Sequence, residues 1–309
     1  MAHPDEMIQL VKQRSYAACI KEGFRLVADN PWKLFRSTWP YLLFVAVCLW
    51  IYYIIMVSIQ MVHGATLNII GIGLLVGSYV LLIVGMLFYS GRIMLLFRKV
   101  KEKGRVERIG AFRQFGATSR CALRLLPLAL IEFLLTLLFV TLSPLAIVWA
   151  LKQQTTTMLV CVSIGIIAVG LLLIIFFMPF MQAFYHALIS DGKYVELLKT
   201  GYRHGFRFKG RILVANILAI LLFSVASIVI ALPLMLIMSA NFFSNVGVLM
   251  GDPSGLPSYY PWLTAATYII SFFMLFFAGI FLYASNLFVY GSIEAQIEQR
   301  EMMNMQISE

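Results

Sequence analysis

The feature that most constrains this chain is where charge is missing. No Asp, Glu, Lys or Arg occurs at 37–91, 153–190, 212–251 or 253–293, and between 125 and 151 Glu132 is alone. A hydrocarbon layer about 30 Å thick is crossed by roughly 20 apolar helical residues, and each of these runs is long enough. Composition agrees: 61% of residues are hydrophobic and 12% charged, where soluble domains carry about 25% charged residues. The sequence therefore predicts an all-α polytopic membrane protein. Six spans are expected, at about 39–61, 67–91, 125–150, 158–188, 212–238 and 263–288.

Charge returns between the spans. Arg92, Arg98, Lys99, Lys101, Lys103, Arg105, Arg108, Arg113, Arg120 and Arg124 lie together, against Glu102 and Glu107. Basic loops are retained in the cytoplasm, so this loop fixes the expected orientation. Six spans then put both termini inside, and of 24 basic residues only Lys152 falls outside. The turns at His63-Gly64 and Lys152–Thr157, and a loop at about 239–260 with Asp252, Pro253, Gly255 and Pro257, are expected to be external. Tyr259, Tyr260 and Trp262 follow that loop as an interfacial belt.

The net charge of +10 flanks the spans. That placement points to topology and anionic lipid, at about 1 kcal/mol per basic residue near the surface, and away from nucleic acid. Cys19, Cys48, Cys121 and Cys161 show no paired spacing and read as free thiols. The polar lead of more than thirty residues does not read as a cleavable signal peptide.

Each pair of spans follows a basic, amphipathic segment. Tyr16, Ile20, Phe24 and Val27 recur at helical spacing, opposite Lys21, Glu22 and Arg25, until Asn30-Pro31 interrupts. Trp32, Phe35 and Trp39 then provide boundary anchors. Ile109, Phe112 and Phe115 form a second stripe opposite Arg113 and Arg120. Val195, Leu198, Tyr202 and Phe206 form a third, beside Lys199, Arg203, Arg207, Lys209 and Arg211. Phe24-Arg25, Phe112-Arg113 and Tyr202-Arg203 are placed alike, and Lys33, Arg120 and Arg211 follow them before the membrane.

The expectation is one membrane domain, 1–309, made of three hairpins, each preceded by a basic amphipathic interfacial helix. Its repeat-like units are 1–91, 92–190 and 191–290, with an acidic helical tail at 291–309. In this layout the chain resembles a group of bacterial six-span membrane proteins. That group is similar to the membrane domain ahead of the catalytic barrel in some glycerophosphodiester phosphodiesterases. The barrel has no counterpart here, so the resemblance implies architecture and an inner-membrane setting without that activity.

Glu132 is the acid set deepest in a span, about 12 Å beyond Arg124 at 1.5 Å per residue. Acids at such depth mark function or are held structurally by partner helices, and Thr136 shares its face. Gln182, His186, Asn216, Asn286 and Tyr290 lie at similar depth and would either line a cavity with Glu132 or act as interhelical glue. Gly73 and Gly77 are spaced for close helix packing. His3, His63, His186 and His204 pair with no Cys or carboxylate at ligand spacing.

No metal, cofactor or catalytic residue is expected. The leading expectation is a non-enzymatic, lipid-interacting scaffold or assembly factor, with a protein partner or a second copy as a possible companion. Headgroup contacts are expected from Arg25, Lys33, Arg113, Arg120, Arg203 and Arg211. The alternative is a small transporter with a cytoplasm-facing cavity around Glu132.

Overall fold

A computed structural model describes residues 8–63, 69–152, 156–190, 192–251 and 256–308. Parts of the three expected external turns (Gly64, residues 153–155, and Asp252, Pro253 and Gly255) lie outside the described residues. Within them the chain is helical: α1 (Tyr16–Asp29), α2 (Pro31–His63), α3 (Ile69–Lys103), α4 (Phe115–Lys152), α5 (Thr156–Ile189), α6 (Tyr194–Arg207), α7 (Lys209–Leu249) and α8 (Tyr260–Ser308). Helices α2, α3, α5, α7 and α8 are long and apolar enough to cross a membrane, and α4, at 38 residues, is comparably long.

Local chemistry sets the boundaries. The Ser15 side chain accepts from the Ala18 amide and caps α1, meeting one of the donors a helix start leaves unpaired. Asn30 ends α1, and Pro31 opens α2 at a position that needs no amide. Gly104 stops α3 with φ +65°, its amide donating to Val100 O at 2.8 Å. That left-handed cap suits glycine.

Helix α8 is the hub: it packs on α1, α2 and α7, while α2 meets α3, α3 meets α4, α4 meets α5 and α5 meets α6. Leu42, Val45, Ile93, Phe97, Ile280 and Leu287 are among the core residues. This core lies toward the end of the bundle that carries the charged segments. Elsewhere the helices differ in how much they bury. Helix α3 buries 50% of its apolar stretch, α7 6% and α5 0%, so the outer faces of α5 and α7 offer their apolar side chains to something other than this chain.

The structure refines one expectation and corrects three. The buried face of α1 is Cys19, Ile20, Gly23 and Leu26, whereas Tyr16 and Phe24 of the expected stripe are exposed. Close approach decides the face: a Cβ on Gly23 would sit 2.6 Å from Ser285 Oγ of α8. The second amphipathic segment is not a separate helix, because 105–114 is irregular and the chain becomes helical only at Phe115. Helix α7 runs to Leu249 through residues expected in a loop; no proline interrupts 239–249, and Gly251, at φ +95°, follows its end. Gly73 and Gly77 have open space where a Cβ would point. The small-residue contact is instead Gly201 and Gly205 of α6, where a Cβ would lie 2.7 Å from Ala183 Cα and from Pro179 O of α5.

Candidate functional site

The irregular segment after α3 is explained by Arg92. This arginine is fully buried and has no carboxylate among its hydrogen-bond partners. Its Nε donates to Ser37 O at 3.1 Å, Nη2 to Gly110 O at 2.8 Å, and Nη1 to Arg113 O at 3.1 Å and Thr118 Oγ1 at 3.4 Å. The guanidinium lies 5.8 Å from the ring centre of Tyr41. Ser37 Oγ donates to Ile109 O at 2.8 Å, and Tyr41 OH to Ala111 O at 3.1 Å. Side chains of α2 and α3 thus hold the carbonyls of residues 109, 110, 111 and 113, which an α-helix would have needed for its own amides. Side-chain capture of the backbone outcompetes the helix that the apolar spacing predicts.

With its backbone held inward and Val106, Ile109 and Ala111 buried, the segment turns its charged side chains outward. They form one wall of a cleft of about 540 Å³, lined by Lys33 of α2, Lys99 of α3, and Arg105, Glu107, Arg108, Arg113 and Gln114. Glu107 is already engaged, 2.6 Å from Lys103 Nζ and 3.9 Å from Lys99 Nζ. Lys33 donates to Asn30 Oδ1 at 3.0 Å. The guanidinium groups of Arg105, Arg108 and Arg113 make no hydrogen bond or ion pair among the described residues. Beside Lys33, Trp32 is exposed and stacks on Phe35 at 5.5 Å.

A second polar region lies where α5, α6 and α8 meet. Gln182 Nε2 donates to Glu294 Oε1 at 3.2 Å. The Nδ1 atoms of His186 and His204 lie 3.5 and 3.6 Å from that same oxygen. Those distances exceed a good hydrogen bond, and neither buried Nδ1 has another partner. The contact strengthens by charge when a ring is protonated. Tyr290 stands beside His186 and shares a hydrogen bond with Ser190 at 3.2 Å. Two helical turns along α8, about 12 Å at 1.5 Å per residue, Asn286 Nδ2 donates to Asn216 Oδ1 at 2.9 Å.

The sequence-derived residues therefore divide. Gln182, His186, Asn216 and Asn286 fall in these two layers, Gln182 and His186 facing Glu294 and Asn286 donating to Asn216. Glu132 and Thr136 lie on α4, but their side chains lie outside the described residues. Helix α4 packs against α3 and α5, whereas Asn216 and Asn286 belong to α7 and α8. Of the expected headgroup contacts, Lys33 and Arg113 share the cleft. Arg25 pairs with Asp29 at 3.4 Å, and Arg120 Nε donates to Gly116 O at 3.2 Å. Arg203 is exposed on α6. Arg211 is drawn into the protein, donating to Ser292 Oγ at 2.8 Å and to Arg14 O.

Sequence reasoning missed Lys99, Arg105 and Arg108 as cleft residues and missed the meeting of His186, His204 and Glu294. The absence of ligand spacing in the sequence did not reveal this contact, because it joins three helices far apart along the chain. The signal that could have found it is Gly201-x-x-x-Gly205, which marks the face of α6 that lies against α5 beside Gln182 and His186. The four cysteines are free. No group of three or more His, Cys, Asp or Glu suited to a metal occurs among the described residues.

Fold and site together define an all-helical protein with several helices able to cross a membrane and a basic cleft at the charged end of its bundle. No family model matches the chain, and no curated protein or solved structure matches it.

Proposed function

We propose that the chain is a six-span, non-enzymatic protein of a bacterial-type inner membrane, acting as a lipid-interacting scaffold or assembly factor. Both termini and the basic segments face the cytoplasm in this reading. One observation carries it: Lys33, Lys99, Arg105, Arg108 and Arg113 converge on one cleft, with the exposed Trp32 next to Lys33 and the exposed Trp39 within two helical turns of it. Amphipathic aromatics favour the headgroup level of a bilayer, and cations at that level attract anionic lipid.

Helix α6 supports the same reading. Its glycine face is buried on α5, leaving Val195 and Phe206 exposed on one side and Arg203 and Arg207 exposed further round. An interfacial helix divides its surface in this way. The resemblance in layout to bacterial six-span proteins is consistent with it.

The test is native mass spectrometry of the protein extracted gently from its own membrane. Anionic phospholipid should stay bound in preference to zwitterionic lipid, and less should remain when Arg25, Arg113 and Arg203 are all replaced by Glu. Equal retention of both lipid types, unchanged by that replacement, would remove the lipid reading.

A further inference from the structure

We infer that the cleft between the start of α2, the end of α3 and the 104–114 segment binds a ligand carrying two phosphate groups. The inference rests on the lipid-interacting reading and names the chemistry that its cleft selects. Five cations, Lys33, Lys99, Arg105, Arg108 and Arg113, line the cleft with one carboxylate, Glu107, which Lys103 already engages at 2.6 Å. The lining carries an excess of four positive charges (five minus one).

A phosphodiester carries one negative charge and leaves most of that excess unmatched. Two phosphodiesters on one molecule, at one charge each, match about half of it, and two phosphomonoesters, at about −1.5 to −2 each near neutral pH, match most of it. Size agrees with charge. A cleft of about 540 Å³ falls within the roughly 300–1,000 Å³ typical of sites for whole small molecules and is far larger than one phosphate group needs.

Geometry agrees as well. Three of the five cations are arginines whose planar forks pair with phosphate oxygens two at a time. They project from a backbone whose carbonyls at 110 and 113 are fixed by Arg92, so little of the cleft has to be ordered when the ligand arrives. The same chemistry could be presented by a lipid headgroup at the bilayer surface or by a soluble diphosphate.

The experiment uses the full chain in nanodiscs of zwitterionic lipid, read by native mass spectrometry. Three probes are compared: a diphosphatidyl lipid, a phosphatidylglycerol-type lipid at equal total charge, and inorganic pyrophosphate. The inference expects one diphosphatidyl lipid or one pyrophosphate per chain, favoured over the single-phosphate lipid by about tenfold or more, the loss expected from one or two charge-assisted contacts. Arg105→Ala with Arg108→Ala should abolish that preference, and Lys12→Ala with Lys21→Ala, at exposed positions outside the cleft, should not.

Lipid capture without pyrophosphate capture assigns the headgroup source, and pyrophosphate capture alone assigns the soluble one. If both anionic lipids bind equally and the Arg105/Arg108 variant changes nothing, the inference fails while the lipid reading stands. If neither anionic lipid is retained beyond the zwitterionic background and pyrophosphate does not bind, both fail. A thermal melt of each variant confirms that loss of binding is not loss of fold.

Discussion

The basic cleft and the α5–α6–α8 junction sit at the same end of the bundle and hold their charges in opposite ways. At the junction one carboxylate, Glu294, accepts from the Gln182 amide and faces two imidazoles at 3.5 and 3.6 Å, so its charge is answered from within the protein. In the cleft three guanidiniums make no hydrogen bond or close ion pair among the described residues. Matched polar groups hold helices together. Unmatched cations of one sign, kept near one another against their repulsion, are better understood as poised for something from outside. Removing a junction residue should therefore cost stability, and removing a cleft arginine should cost binding alone.

The sharpest test of that division is Arg92, which lies fully buried behind the cleft wall and holds its backbone. Arg92→Met strands the carbonyls of Ser37, Gly110 and Arg113 and should cost about 4 kcal/mol, visible as a drop of roughly 10 °C in the detergent melting temperature. A melt within a degree or two of the parent would mean the 109–113 segment is held by something else. Next comes Gly205→Leu, whose new side chain collides with Pro179 O of α5. Overpacking of this kind costs about 1–3 kcal/mol. Gly73→Ala, with open space around it, should be neutral or slightly stabilising, since alanine exceeds glycine in helices by about 0.5–1 kcal/mol. Reversed results for these two glycines would overturn the docking of α6.

Smaller still is Glu294→Gln, which removes the charge that His186 and His204 share and should cost about 1–2 kcal/mol in the same melt. A stabilised variant would show that the junction's polar groups are not matched as described. Smallest is the cleft itself: Arg105→Ala and Arg108→Ala should each change stability by less than about 0.5 kcal/mol, as exposed positions do. A clear loss of stability would place those arginines in the fold and end the contrast with the junction.

One pH effect belongs with the cleft. The hydrogen bond from Lys103, opposed by partial desolvation and aided by the charges of Lys103, Lys99 and Arg105, holds the Glu107 carboxyl below the usual carboxylate range. A lowered folded-state pKa means its contribution is present above the unfolded value and lost as pH falls through the folded one. Glu107→Gln should therefore lie closest to the parent at the acid end of a melt series, below the usual carboxylate range. Identical melting at every pH in both proteins would refute this.

Much of the fold was legible because absence of charge is a one-dimensional signal. Runs such as 37–91 announce long apolar helices whatever they pack against, and Asn30-Pro31 marks the α1–α2 break through local chemistry. The packed face of α1 was not legible, because Tyr16, Ile20, Phe24 and Val27 are apolar enough for either lipid or protein. The choice fell to Gly23, a residue with no side chain to count. The second amphipathic segment was misread because Ile109, Phe112 and Phe115 do have helical spacing, but Arg92, Ser37 and Tyr41 take its carbonyls from far along the chain. The cleft was half visible, in Lys33 and Arg113, since charge density is written in the sequence and convergence is not.

Arg92 has a further consequence for how this protein can change. It grips the 109–113 backbone by carbonyl oxygens, which every amino acid possesses, and ignores the side chains that reach the cleft. The shape of that wall and the chemistry displayed on it are thus specified by separate residues. Positions 105, 108 and 113 can drift toward other charges or lengths while the frame beneath them stays as it is, so a lineage could trade one anionic ligand for another without first solving its folding problem again.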